Sequence, residues 1–283
     1  MNHPLVTIAI PTFNRANFIA DAIASSLNQT CEDFELLIVD NASTDNTKEV
    51  IDSFSDPRIR YICNKDNIGI LRNWNRCIES AKGRYLLILG DDDKLYPEFL
   101  KESVSVYDKY PNLGFIFSHC NKVDENGSFM RRWGYDFPPA GYIKGFDYLL
   151  LMIKYGCNLT NSSTTLIRAD VFKTVGLFEK RFAANTFDFN MWIKIAEHFD
   201  VYFINKVLVD YRIHSNQVSE LHWRRTKKQT GRTGSYLEIM RALAILLNSE
   251  YIHDKNNREL LSESLTDLTC NLSKELKTII PEL

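Results

Sequence analysis

The sequence predicts an α/β protein: a mostly parallel, doubly wound sheet, an α+β half that follows it, and a small C-terminal helical appendage. Three observations carry this. Short apolar runs alternate with helix-length stretches through the first hundred residues, the pattern of βαβ units whose crossover helices cover both faces of a sheet. The rhythm changes from Leu113, where strands, turns and helices stop alternating regularly. It changes again after His222, where the basic run Trp223-Arg-Arg-Thr-Lys-Lys228 leads into two helical patterns.

Taken in order, Val6 to Ile10 reads as the first strand and Asn17 to Leu27 as its crossover helix. Phe34 to Val39 is the second strand, followed by a helix from about Asp45 to Phe54, with Ser43, Thr44 and Asp45 supplying turn and cap chemistry. Ile59 to Ile62, a helix over Ile70 to Ala81 and a strand over Tyr85 to Leu89 complete the series. Beyond it come a strand at Gly114 to Ser118, a tight hairpin turn at Asn126-Gly127 and the aromatic segment Trp133 to Pro139. A helix over Phe146 to Lys154, a polar strand-like run at Asn161 to Ile167, a helix over Phe187 to Phe199 and a strand over Val201 to Tyr211 follow. Two helices, roughly Gly234 to Asn248 and Asn257 to Thr278, end the chain. The boundary falls near residue 220. Residues 1–220 then form the main domain, in halves 1–110 and 111–220, and 221–283 the helical region.

Composition narrows the classes. A chain of 283 residues, 45% of them apolar, can bury a large core. A net charge of -2 argues against a dedicated nucleic-acid binder, which needs an overall basic field. The cysteines at 31, 63, 77, 120, 157 and 270 show no CxxC spacing and read as reduced thiols in a cytosolic protein, without a zinc site or disulfide framework. No apolar run approaches the ~18 to 20 residues needed to span a bilayer. The expectation is a cytoplasmic protein, soluble or peripheral at the inner face of a membrane, with the basic stretch from Arg224 to Arg232 either a solvated linker or a contact to anionic lipid.

Open α/β sheets bind ligands beyond the carboxyl ends of their strands, and polar residues gather at three of those ends. Pro11-Thr12-Phe13-Asn14-Arg15 follows the first strand, Asp40-Asn41 opens the turn after the second, and Asp91-Asp92-Asp93 follows the fourth. Three adjacent carboxylates repel one another. A hard divalent cation such as Mg²⁺ or Mn²⁺ neutralises them while keeping positions open for substrate phosphates. The other reading is an acidic loop capping the next helix, with Pro97 in its first turn. Neither GxxxxGK[ST] nor GxGxxG is present, so phosphate charge falls to a metal and to scattered cations such as Arg15 and Arg72.

The segments Ile10-Pro-Thr-Phe-Asn-Arg15, Leu37-Ile-Val-Asp-Asn-Ala-Ser-Thr-Asp-Asn-Thr47, Asn67-Ile-Gly with Arg72-Asn73, and Gly83-Arg-Tyr-Leu-Leu-Ile-Leu-Gly-Asp-Asp-Asp93 resemble the successive motifs of family 2 glycosyltransferases with the GT-A fold. The resemblance is in register over about residues 4 to 110 and looser to about 218. It implies a sugar-nucleotide donor, a UDP-sugar, with Thr12 and Asp40 at positions that hold base and ribose and Arg72 beside the nucleotide. It implies Mn²⁺ or Mg²⁺ on Asp92, with Asp91 and Asp93 also candidates, because Gly90 stands where the family's first aspartate does. Asp188 matches the second member of a Glu-Asp pair, the first being Phe187 here, and would be the base that deprotonates a saccharide or lipid-linked saccharide acceptor. Trp192 and Ile195 share its helix face, so an aromatic wall beneath Asp188 is expected. The segment Tyr211-Arg-Ile-His214 resembles a late family segment in which His214 would help bind the metal or the diphosphate. Trp133, Tyr135 and Phe137 offer a platform for acceptor sugar rings, or packing. A nucleotidyltransferase and a noncatalytic sugar-nucleotide binder are the competing classes.

Overall fold

A computed structural model describes residues 3–133, 141–155, 159–179, 187–215, 217 and 233–279, and for 233–236 and 271–279 the backbone alone. The first half contains β1 (Val6–Thr12), α1 (Ile19–Leu27), β2 (Phe34–Asp40), α2 (Thr47–Asp52), β3 (Ile59–Cys63), α3 (Ile70–Ser80) and β4 (Tyr85–Ile88). A two-residue strand, β5 (Lys94–Leu95), and α4 (Phe99–Lys109) lead into β6 (Phe115–Val123), β7 (Phe129–Trp133), β8 (Gly141–Ile143) and α5 (Gly145–Tyr155). Then come β9 (Thr165–Arg168), the single turn α6 (Phe172–Val175), α7 (Phe187–Ala196), β10 (Val201–Arg212), α8 (Thr233–Leu247) and α9 (Lys255–Ile279).

All strands join one sheet in the order β3-β2-β1-β4-β9-β6-β10-β5, with β7 beside β6 and β8 beside β10. The run β3-β2-β1-β4 is parallel throughout, as the βαβ alternation requires. Beyond β4 the pairings are antiparallel except for β6 with β10. β1 and β2 are apolar along nearly their whole length because both faces are covered: Ile8 and Ile10 face one core cluster with α1, and Ala9 faces the other with α3. Pairing runs on past β1, with Asn41 N–H donating to the Thr12 carbonyl at 2.8 Å and Leu89 N–H to the Ala9 carbonyl at 2.9 Å. The loops after β1, β2 and β4 therefore leave the sheet side by side.

The C-terminal helices share a core with the sheet. α8 packs on α5 and α7, and α9 on α5, placing Ile239, Ala242, Leu246, Leu261 and Leu268 in the cluster that covers Phe115, Phe117 and Trp192. Gly145 opens α5 hard against the end of α7, where a Cβ would stand 2.0 Å from the Ala196 carbonyl oxygen and 2.6 Å from that of Phe199. Both are backbone atoms that cannot swing aside. Gly145→Ala is expected to lower stability by about 1–3 kcal/mol, read as a lower guanidinium midpoint at unchanged slope.

Three sequence expectations are revised. The acidic residues do not cap the next helix: β5 intervenes, pairing with β10, and α4 starts at Phe99, with Glu98 rather than an acidic-run residue at its cap position. The run from Asn161 is not a strand from its start. Asn161 accepts the Thr164 N–H at 3.0 Å while its own N–H donates to the Thr164 hydroxyl, a capping box that winds Ser162–Thr164 into a 3₁₀ turn before β9. The helix at Phe187 stops at Ala196, with Gly114 receiving Ile195 and Phe199 where a Cβ would collide. The hairpin at Asn126-Gly127 is as expected, with Gly127 at φ 84° between β6 and β7.

Candidate active site

The strand ends enclose a cavity of about 330 Å³, within the size range of small-molecule sites. Pro11, Thr12, Phe13 and Arg15 line it from the end of β1, Asn41 from β2, and Asn67, Ile70, Asn73 and Trp74 from the start of α3. The opposite wall is Gly90 to Asp93, Asn161 to Ser163, Phe187, Asp188, Tyr211 and Gln217. The expected site residues Pro11, Thr12, Arg15, Asn41, Asp91, Asp92, Asp93 and Asp188 thus meet around one space, although they come from widely separated parts of the chain.

The acidic tip is built by neighbours that hold each carboxylate differently. Asp91 faces Arg15, with Oδ1 3.4 Å from Nε. Burial and the Asp92 charge push its carboxyl up to about 7 against the pull of Arg15. Asp92 Oδ2 lies 2.9 Å from His214 Nε2, and the Phe18 ring packs against the imidazole at 4.5 Å. Asp93 is fully engaged within the protein, accepting from the Ser163 hydroxyl and, at 2.9 Å, from the Arg212 N–H. Burial, then the Asp92 charge, holds its carboxyl well above the usual range. Gly90 explains its departure from the family pattern. A Cβ there would stand 2.8 Å from an Asp93 oxygen and 2.9 Å from an Asp92 oxygen, so both carboxylates fold back over the space a side chain would fill.

Arg212 secures this tip. Its side chain is 3% exposed, and it donates to the Asp92 carbonyl at 2.8 Å, the Glu125 carbonyl at 2.7 Å and the Asp21 carboxylate at 2.6 Å. One buried cation therefore joins α1, the acidic loop and the β6–β7 hairpin. On the opposite wall the amides interlock: Asn41 donates to Asn67 at 2.9 Å, and Asn64 donates to both Asn41 and Asn73.

Asp188 stands in the first turn of α7, where its Oδ1 accepts the Phe189 N–H at 2.8 Å. Burial, with a smaller push from the Glu238 carboxylate of α8, raises its pKa to about 6, a value suited to a base near neutral pH. The aromatic wall beside it comes from Trp74 and Phe187, edge to face at 5.0 Å. It does not come from Trp192, which is fully buried against Phe115 at 5.2 Å. The helix carries apolar residues all round, and the core took that face.

Four expected residues are not part of the cavity lining: His214, which meets it only through Asp92, and Asp40, Asn14 and Arg72. Asp40 is 1% exposed, its oxygens accepting from the Tyr61 hydroxyl at 2.7 Å and the Ser43 N–H at 2.9 Å. Asn14, in the left-handed region at φ 53°, bridges to Ser43 and Thr44 and ties the loop after β1 to that after β2. Arg72 is exposed on α3, outside the cavity lining. Trp133 packs near Tyr211 at 5.6 Å with the Lys122 ammonium over its ring at 4.7 Å. Tyr135, Phe137 and the stretch from Arg224 to Arg232 lie outside the described residues. Among the described residues no group of three or more His, Cys, Asp or Glu side chains stands as a metal cage, and no helix is long and apolar enough to cross a membrane.

The parallel strands β1, β2 and β4 thus end at one crevice lined by the acidic residues after β4 and by the Asp188 carboxylate. The family model described as "Glycosyl transferase family 2" matches residues 7–176, and the chain belongs to that family. An uncharacterized glycosyltransferase of Rickettsia felis is 34% identical over 221 residues, which are 77% of this chain and 35% of that protein. The hyaluronan synthase of Pasteurella multocida is 33% identical over 218 residues, 76% of this chain and 21% of the synthase. The chain thus spans about a third or less of the length of these relatives. In fold it is similar to S. aureus TarS 1–349 in complex with UDP-GlcNAc, with a TM-score of 0.63 at 16% identity over 93% of this chain and 80% of that one. It is also similar to the Pyrobaculum calidifontis mannosyltransferase in complex with GDP-Man and Mn²⁺, with a TM-score of 0.60 at 14% identity over all of this chain and 89% of that one.

Proposed function

We propose that the chain is an inverting glycosyltransferase that moves a sugar from a UDP-sugar to an acceptor hydroxyl, in the assembly of a surface polysaccharide or glycoconjugate. The observation that carries this reading is that Asp188 and the acidic tip, far apart in sequence, line one cavity. Family membership and the UDP-bound TarS structure support the donor class. The half 1–110 would hold the nucleotide, with Thr12, Arg15 and Asn41 in contact and Asn14 and Asp40 bracing their loops. Arg72 would be a cation at the approach. Residues 111–220, with the helical region 221–283 behind them, would receive a saccharide or lipid-linked saccharide in the cytoplasm or at the inner membrane face.

In the reaction the acceptor oxygen attacks the anomeric carbon on the face away from the diphosphate while its proton passes to the Asp188 carboxylate. The bond from that carbon to the diphosphate oxygen breaks, and the electron pair leaves with the nucleoside diphosphate. The configuration inverts. Asp92 and His214 fit a divalent cation as a partial donor set, one carboxylate oxygen and one imidazole nitrogen, which suits an ion that completes its sphere with substrate phosphates rather than with a protein cage. Mn²⁺ or Mg²⁺ held there supplies positive charge against the departing diphosphate. Asp93, already bonded to Ser163 and Arg212, keeps the loop in shape beside them.

Calorimetric titration of the full chain with UDP, GDP, ATP, NAD and sugar nucleotides, with Mn²⁺ and then with chelator, tests the reading. Preference for UDP nucleotides is expected, with affinity falling at least about tenfold when the chelator is added. Tighter binding of ATP or NAD, or no nucleotide binding, contradicts it.

A further inference from the structure

The cavity lining includes a buried hydrogen-bond acceptor that no described residue satisfies. Gln217 is 6% exposed and lines the cavity together with Asp92, Asp188 and Tyr211, and its side-chain Oε1 has no hydrogen-bond partner among the described residues. Its backbone is fixed by the N–H bond to the His214 carbonyl at 3.2 Å. The turn that seats the imidazole on Asp92 therefore also places Gln217, one turn farther along. Buried carbonyls are almost always paired, and one left unmade is costly until a ligand supplies the donor.

The chemistry of the missing donor can be narrowed. Phosphate oxygens are acceptors, so a diphosphate does not complement a carbonyl. The other amide oxygens of the lining are already used, that of Asn41 by Asn64 and the Ile68 N–H, that of Asn67 by Asn41 and the Gly69 N–H, that of Asn73 by Asn64 and that of Asn161 by the Thr164 N–H. Gln217 differs from them in lining the cavity, on the turn that carries His214, with a side-chain oxygen that has no partner among the described residues. A sugar joined to a diphosphate held at that end brings hydroxyl donors to it.

We infer that Gln217 reads the donor sugar, its side-chain carbonyl accepting a hydrogen bond from a sugar hydroxyl. The inference rests on the sugar-nucleotide reading above and adds a specificity residue to it. A site built to bond a hydroxyl rejects an analogue that lacks it far more strongly than an apolar pocket rejects a size change.

The test compares wild type, Gln217→Met, which keeps the length without an amide, and Gln217→Glu, which keeps acceptor oxygens. Affinities for UDP and for UDP-glucose, UDP-galactose and UDP-GlcNAc are measured calorimetrically with Mn²⁺, and the ratio of the tightest sugar nucleotide to UDP is taken for each protein. In Gln217→Met that ratio is expected to fall about five- to tenfold with UDP affinity within about twofold of wild type, whereas Gln217→Glu keeps the wild-type ratio. An unchanged ratio in Gln217→Met overturns the inference. So does an equal loss of UDP affinity, which would put the contact on the nucleotide, or a loss of ratio in Gln217→Glu, which would assign the contact to the amide N–H. Failure of the wild-type protein to bind any UDP nucleotide sinks the donor reading itself, an outcome distinct from these.

Discussion

Asp188→Asn is expected to lower sugar transfer by roughly 100- to 10,000-fold, the range that a positioned general base contributes, while UDP affinity stays within about twofold. The amide keeps the size of the side chain and its contact with the Phe189 N–H, but it cannot take the acceptor's proton. A noncatalytic binder would show no such split between turnover and affinity. The pH dependence follows from the same group. Burial raises the Asp188 pKa to about 6, so transfer should decline on an acid limb near pH 6 as the base becomes protonated. The same shift has a stability consequence of defined sign. Between the ordinary value of 3.8 and about 6 the folded protein holds a proton that the unfolded chain has lost, so stability falls as pH rises through this window, and the ionised carboxylate is a burden above it. Asp188→Asn removes that burden and should raise stability at pH 7.5 by up to about 3 kcal/mol, the gain vanishing toward pH 4. A variant that is inactive and also less stable at pH 7.5 would mark Asp188 as structural.

Asp92→Asn carries the second large effect. Removing one electrostatic partner of a developing charge typically costs roughly 100- to 1,000-fold in turnover, and here the Mn²⁺-dependent part of UDP affinity should disappear with it. The fold should survive. Asp92 is the charge that, after burial, most disfavours ionisation of Asp91 and Asp93, and the variant keeps the backbone carbonyl that Arg212 grips. His214→Ala should act in the same direction by roughly 10- to 100-fold, since the imidazole both meets Asp92 and packs on Phe18. Wild-type response to Mn²⁺ in Asp92→Asn would remove this residue from the metal site.

Much of the architecture was legible in the chain because its signals are local. β1, β2 and β4 are covered on both faces and so read as apolar runs, and the acidic tip stands at a strand end where open sheets bind ligands. What escaped depends on pairing across distance. β5 is two residues long and exists only through β10. Ser163 supports the acidic loop from 70 residues away, bonding Asp93 and accepting the Gly90 N–H at 2.9 Å, and a lone serine in a polar run gives no sign of that. Arg212 was legible only as part of a segment, since a buried arginine is recognised by its partners and not by its neighbours in sequence. Asp40 and Trp192 show the opposite case. Each sits where periodicity or motif points to the cavity, yet Tyr61 and Ser43 hold the first behind the wall and Phe115 packs the second into the core.

The central claim is that a cation held at the acidic tip offsets the charge of a nucleoside diphosphate in this cavity. The most direct measurement is a crystal soaked with Mn²⁺ and UDP and examined by anomalous diffraction at the manganese edge. The account predicts one manganese peak between Asp92, His214 and the diphosphate, with the uridine toward Thr12 and Asn41. UDP bound in the cavity without manganese at Asp92, or both ligands seated elsewhere, would contradict it.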